Sequence, residues 1–149
     1  MTAPTGPLPF FVYGTLRPGG SHHAHFLRGR TAVEEPGTLP GAVLYEGPGY
    51  PYVVPGEGEV AGELITAEPG AYGELVRVLD LLEEFRSPGH PRNLYEREAY
   101  DVLRADGSPV RAWVYVAGVR IARELRASGT PIPGGDWLSP RARSGPRTP

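Results

Sequence analysis

The chain contains no cysteine and no lysine, and each absence removes a body of chemistry. Without cysteine there is no thiol nucleophile, no disulfide and no zinc–thiolate site. Without lysine there is no Schiff base to a carbonyl cofactor and no phosphate-binding loop ending in Gly-Lys. All 15 basic side chains are arginine. A Gly-x-Ser-x-Gly nucleophile elbow is missing too. No apolar run approaches the ~20 residues of a membrane span, and the stretch Met1–Pro9 lacks the basic start and apolar core of a signal peptide. A net charge of -2 over 149 residues gives nucleic acid no electrostatic footing. The expectation is a single cytoplasmic domain over residues 9–138, with disordered tails at 1–8 and 139–149. Metal, cofactor, nucleic-acid and membrane partners are not expected, and the oligomeric state stays open. Carboxylates, hydroxyls, arginines and the main chain are left to do the chemistry.

What is present reads as α+β. Phe10 to Tyr13 form a short buried strand. Ser21 caps a short helix running through Leu27. Between Thr31 and Thr66, glycine and proline punctuate three strand candidates, Ala42–Tyr45, Tyr52–Val54 and Val60–Thr66, a spacing that suits a small curved sheet or barrel. Pro69 to Phe85 is the clearest helix, with Leu75, Val78, Leu79 and Leu82 as its apolar stripe. Leu94–Leu103 and Val110–Val116 read as a hairpin about a turn at Ala105–Ser108. A second, shorter helix covers Val119–Ala127, and Trp137 anchors a final loop.

Two places carry candidate chemistry. In "FFVYGTLRPGG" (Phe10–Gly20) a strand runs straight into a glycine. There the backbone can turn sharply and approach a ligand. The amides of Gly14, Thr15 and Leu16 then either converge as an anion nest, with the Thr15 hydroxyl beside them, or make only a tight turn. The second place is the end of the long helix. Projected at about 100° per residue, Glu83 falls beside the apolar stripe, Glu84 nearly opposite it, and Asp80 well round toward solvent. A carboxyl at the core edge in a last helical turn has its pKa raised by burial and by the dipole, which suits acid–base work near neutral pH. The alternative is a boundary glutamate with its head in water.

Taken together these segments resemble the γ-glutamylcyclotransferase-like family, including its AIG2-like and butirosin-biosynthesis branches. The resemblance runs from Phe10 to Trp137 through "FVYGTLRPGG", "GYPYVV", "VAGELI", "LDLLEEF", "YEREAYDV", "AWVYV" and "IPGGDW". It implies a small, mixed, mainly antiparallel β-barrel with one main flanking helix. It also implies that Tyr13, Gly14, Thr15 and Leu16 cradle the α-carboxylate of a γ-glutamyl group, and that Glu83 is the catalytic acid/base. Tyr95 and Tyr115 are further pocket candidates, against an alternative as half-buried strand aromatics.

The implied reaction releases 5-oxoproline and a free amine from a small γ-glutamyl amide or amino acid, by attack of the substrate's own α-amine. It needs no enzyme nucleophile. The rival is a non-catalytic module binding a small carboxylated metabolite in the same pocket. The family commonly has glycine after the key glutamate, where Glu84 stands here, a second acid able to raise Glu83 by repulsion. The Ser87–Asn93 loop is placed to shape access for the amine half. His22, His23 and His25 lack the i, i+4 spacing of a helical metal site.

Overall fold

The computed structural model describes residues 7–17, 22–27 and 29–137, without the side chains of Ala24 and His25. The expectations for Ser21 as a cap, for residues 1–6 of the first tail and for the whole of the 139–149 tail lie outside the described residues. In chain order the elements are β1 (Phe10–Val12), α1 (His23–Phe26), β2 (Thr31–Tyr45), β3 (Tyr52–Ala67), α2 (Tyr72–Leu82), β4 (Tyr95–Arg104), β5 (Pro109–Ala117) and α3 (Val119–Ser128), followed by a 3-10 turn at Pro133–Gly135.

The strands close into a barrel in the order β1-β3-β2-β4-β5. All pairings are antiparallel except the closing one, where Phe10 and Phe11 of β1 run parallel to Trp113 and Val114 of β5. The three separate strand candidates between residues 42 and 66 are in fact parts of two long strands of 15 and 16 residues. Glycine and proline do not end these strands. They bend them, with register shifts at Thr31/Val33 and Pro40/Ala42, the local departures from regular pairing that let a sheet curve.

Alternation along the strands splits the core in two. Phe11, Leu44, Val53, Leu64 and Val114 fill the barrel, where Ile132 and Trp137 of the C-terminal segment join them. Phe10, Val12, Ile65 and Tyr115 face outward and receive the helices. Leu75 and Leu79 of α2 dock there with no exposed surface, each worth roughly 1.5–3 kcal/mol of burial. Val78 of the expected stripe is only half-buried.

Helix α2 is shorter than its sequence pattern predicts. It begins after the turn at Gly70, whose φ is 87°, so Pro69 belongs to the lead-in. It ends at Leu82 with Glu83 as C-cap. The amide of Phe85 donates to the Asp80 carbonyl (2.9 Å) and that of Glu84 to the Leu81 carbonyl (3.2 Å), the two bonds of a Schellman stop. The left-handed residue of this motif is Glu84, with φ 55°, and it is the sole non-glycine with positive φ among the described residues. Among the described residues, no helix is long and apolar enough to cross a membrane.

Candidate active site

β1 ends at Val12, and the chain turns at once. The Arg17 amide donates to the Gly14 carbonyl (3.0 Å) and the His22 amide to the Thr15 carbonyl (2.8 Å). Gly14 is required here by contact, not by a left-handed φ. A Cβ on it would lie 2.8 Å from Cδ of Pro51, closer than carbon atoms pack. The amides of Gly14, Thr15 and Leu16 donate to no described residue. The turn is tied down by Arg17, whose Nε donates to Glu63 (2.7 Å) and Nη1 to Asp136 (2.6 Å). Burial alone would lower this guanidinium, but its two carboxylate partners more than offset that and hold it above its ordinary value.

The turn lines a cavity of about 370 Å³, its open mouth included, together with Glu83 from the end of α2. Tyr13, Tyr95 and Tyr115 complete the wall, with Tyr50 and Pro51 from the segment before β3. All seven residues singled out from the sequence thus border one hollow. Tyr50 and Pro51 were not singled out as site residues. They lie within the quoted "GYPYVV" segment, whose aromatic–proline–aromatic run was the available signal.

Glu83 keeps partial exposure through the cavity mouth. Its carboxylate makes no hydrogen bond or ion pair with any described residue. Burial raises its pKa to about 8. That cause acts without the expected repulsion from Glu84. The charge of Glu84 instead reaches the Tyr52 hydroxyl, and its side chain is exposed.

Asp80 departs from its sequence reading. It does not face solvent but turns back toward the barrel. Its Oδ1 accepts from the Tyr115 hydroxyl (2.6 Å) and from Nε of Arg97 (2.9 Å). Arg97 in turn lies over the Trp113 ring at 4.4 Å and near Phe85 at 5.2 Å. Long side chains from β4 and β5 therefore reach round the helix to cover a face that the apolar stripe leaves polar.

The Thr15 hydroxyl is also less free than expected. It lies 2.8 Å from Nδ1 of His22, a partner that sequence reading passed over after discounting the histidines as metal ligands. His23 is held by Glu34 at 2.9 Å. Among the described residues, no group of three or more His, Asp or Glu side chains is arranged to hold a metal ion.

A closed five-stranded mixed barrel thus carries, in one cavity, an acid and a turn of main-chain amides that have no partner among the described residues, the class of small barrel protein with a carboxyl-and-amide pocket. Comparison with known proteins agrees. The family described as Gamma-glutamyl cyclotransferase, AIG2-like matches residues 10–139. The chain belongs to that family. It is 33% identical over 106 residues to the gamma-L-glutamyl-butirosin B gamma-glutamyl cyclotransferase of Niallia circulans, a match covering 71% of this chain and 64% of that protein. The crystal structure of an AIG2-like protein from Mus musculus superposes with TM-score 0.64 at 25% identity, covering 91% of this chain and 97% of that one. YkqA from Bacillus subtilis shares the fold, with TM-score 0.62 at 24% identity over 89% of this chain and 40% of the longer protein. The chain thus spans a little under two thirds of its cyclotransferase relative and well under half of YkqA.

Proposed function

We propose that this protein cleaves a small γ-glutamyl amide to 5-oxoproline and a free amine. The observation that carries the reading is the unpartnered Glu83 carboxyl, raised to about 8 by burial, in one cavity with the free amides of Gly14, Thr15 and Leu16. Membership of a cyclotransferase family supports it, as does the likeness to an enzyme named for acting on a γ-glutamyl amine.

The three amides bind the substrate α-carboxylate, as an anion nest does. Glu83 takes a proton from the α-ammonium. The freed nitrogen attacks the γ-carbonyl carbon, and a new C–N bond closes a five-membered ring. The tetrahedral intermediate collapses as the original amide C–N bond breaks, Glu83 returns the first proton to the departing nitrogen, and the second proton shed by the ring nitrogen passes to the freed amine, which leaves as an ammonium. No enzyme nucleophile is involved. The protein's contribution is to hold the glutamyl chain folded and to supply an acid/base whose pKa lies near the working pH. The mouth beside Tyr50 receives the amine half, whereas the Ser87–Asn93 loop, expected to shape access there, borders a separate hollow with Val119, Arg120 and Arg123 of α3. That loop is held in shape by Asn93, which donates to the Ser87 carbonyl (2.8 Å) and to Glu96 (2.9 Å).

The experiment is a panel of γ-glutamyl amides incubated with the protein and assayed for 5-oxoproline by mass spectrometry. Release from at least one amide is expected. Glu83→Gln should lower turnover by at least about a thousandfold, in the upper range for general acid–base catalysis, while substrate still binds. Folded wild-type protein that binds these amides and cleaves none would leave the site as a binding module.

A further inference from the structure

The tyrosines of the cavity share a property that follows from where their hydrogens go. A carbonyl or an ionised carboxylate can only accept a hydrogen bond. The Tyr95 hydroxyl donates to the Pro51 carbonyl (2.7 Å). The Tyr115 hydroxyl donates to Oδ1 of Asp80 (2.6 Å), the same oxygen that pairs with Nε of Arg97 (2.9 Å). The Tyr13 hydroxyl donates to the Tyr115 carbonyl. Each has one hydrogen, so each can offer only lone pairs to a ligand. All three residues are more than nine-tenths buried, at 4–6% exposed, and the charge of Glu83 reaches each of their hydroxyls. Yet none of them donates to Glu83. Phenols that surround an acid normally solvate it. Here the protein has already engaged their hydrogens, and among the described residues no cationic side chain lines the cavity.

We infer that the Glu83 carboxylate and the hydroxyl oxygens of Tyr95 and Tyr115 form an all-acceptor shell for a primary ammonium, the α-ammonium of the γ-glutamyl group. This assignment rests on the proposed reaction for the identity of the ligand, but the shell itself is set by the hydrogen-bond directions. An ammonium has three donors and no acceptor, which is what such a shell lacks. Tyr115 is the stronger of the two phenols, because it donates to a carboxyl group in an ion pair rather than to a main-chain carbonyl, which increases the electron density on its oxygen. The same directions exclude Tyr95 and Tyr115 as donors to the tetrahedral oxyanion. That role falls to a group other than these two phenols.

The test compares two ligands that differ only at the α-carbon and lack the γ-carbonyl, so that neither can react: L-norleucine, and hexanoic acid, which has hydrogen in place of the ammonium. Both are titrated by calorimetry into the full-length protein with Glu83 in place. The ammonium ligand should bind at least tenfold tighter. Adding Tyr115→Phe should cut that ratio at least fivefold and leave the desamino ligand within twofold of its former affinity. Tyr95→Phe should act the same way, more weakly, and serves if Tyr115→Phe fails to fold. A ratio near one before either phenylalanine is introduced would overturn the shell. So would a ratio that neither phenylalanine changes, or a kcat loss from Tyr115→Phe with the ratio intact. Retention of the expected ratios in a protein that releases no 5-oxoproline would uphold the shell and reject the reaction.

Discussion

At the scale of single residues, the site turns on one carboxyl held away from its ordinary protonation. Burial raises the Glu83 pKa from 4.5 to about 8, and the carboxyl must be ionised to accept a proton. The value of kcat/KM should therefore rise about tenfold per pH unit below 8 and level off above it, as for a single titrating base in the free enzyme. A rate profile flat from pH 6 to 9 would remove Glu83 from the role of base. The same shift makes a statement about stability. The folded pKa lies above the unfolded one, so the penalty for burying the charge is absent below 4.5, grows between 4.5 and 8, and is constant above 8. Glu83→Gln should accordingly stabilise the protein by roughly 2–4 kcal/mol at pH 9 and by little at pH 4, read as the difference between urea midpoints at the two pH values. The helical projection separated Glu83 from Glu84 because the apolar stripe defines the core edge. It misplaced Asp80 because it describes only one helix. What covers the polar flank, Arg97 and Tyr115, comes from strands 17 and 35 residues further on.

At the scale of elements, the stop of α2 decides where Glu83 sits. The Schellman bonds of Phe85 and Glu84 fix the last turn, but the left-handed position carries a glutamate. A side chain there costs roughly 1–2 kcal/mol relative to glycine. Glu84→Gly should raise stability by about 1 kcal/mol in denaturant melts and leave the Glu83 pH profile unmoved, since Glu84 does not contribute to that shift. A displaced profile would mean that the two acids are coupled. The strands teach a related lesson about legibility. The hairpin of β4 and β5 was readable within a residue or two, because alternation and the Asp106-Gly107 turn are local signals. The β2–β3 hairpin was fragmented, because Pro36, Pro40, Gly56 and Gly58 look like terminators in isolation. Only the closed sheet makes them bends. The parallel pairing of β1 with β5 joins Phe10 to Trp113, and nothing local announces a contact at that separation.

At the scale of the whole molecule, one guanidinium links the site to the barrel and to the end of the described chain. Arg17 stands on the turn that offers the free amides. Glu63, its first partner, lies on β3 opposite Val12. Asp136, its second, follows the turn at Gly135, where a Cβ would meet the Glu59 carbonyl at 2.0 Å, so this segment lies flat on β3. Ile132 and Trp137 on either side of it are buried in the barrel core. Arg17 is itself only 11% exposed. Arg17→Ala removes the guanidinium that Glu63 and Asp136 share, and should cost about 2–4 kcal/mol, somewhat under the figure for a fully buried pair because Asp136 is 35% exposed. In the kinetics the loss should appear mainly in KM, because the amides that hold the α-carboxylate lose their anchor while Glu83 keeps its own. Arg17→Lys should recover only part of either effect, since an ammonium cannot send rigid donors in two directions at once. The deciding comparison is the triple variant Arg17→Ala, Glu63→Gln, Asp136→Asn. Neutralising both carboxylates should restore part of the stability and none of the lost KM, because the desolvated charge is removed while the turn remains untethered. If KM recovered along with stability, the turn would be positioned by the barrel alone, and Arg17 would serve only to neutralise its neighbours.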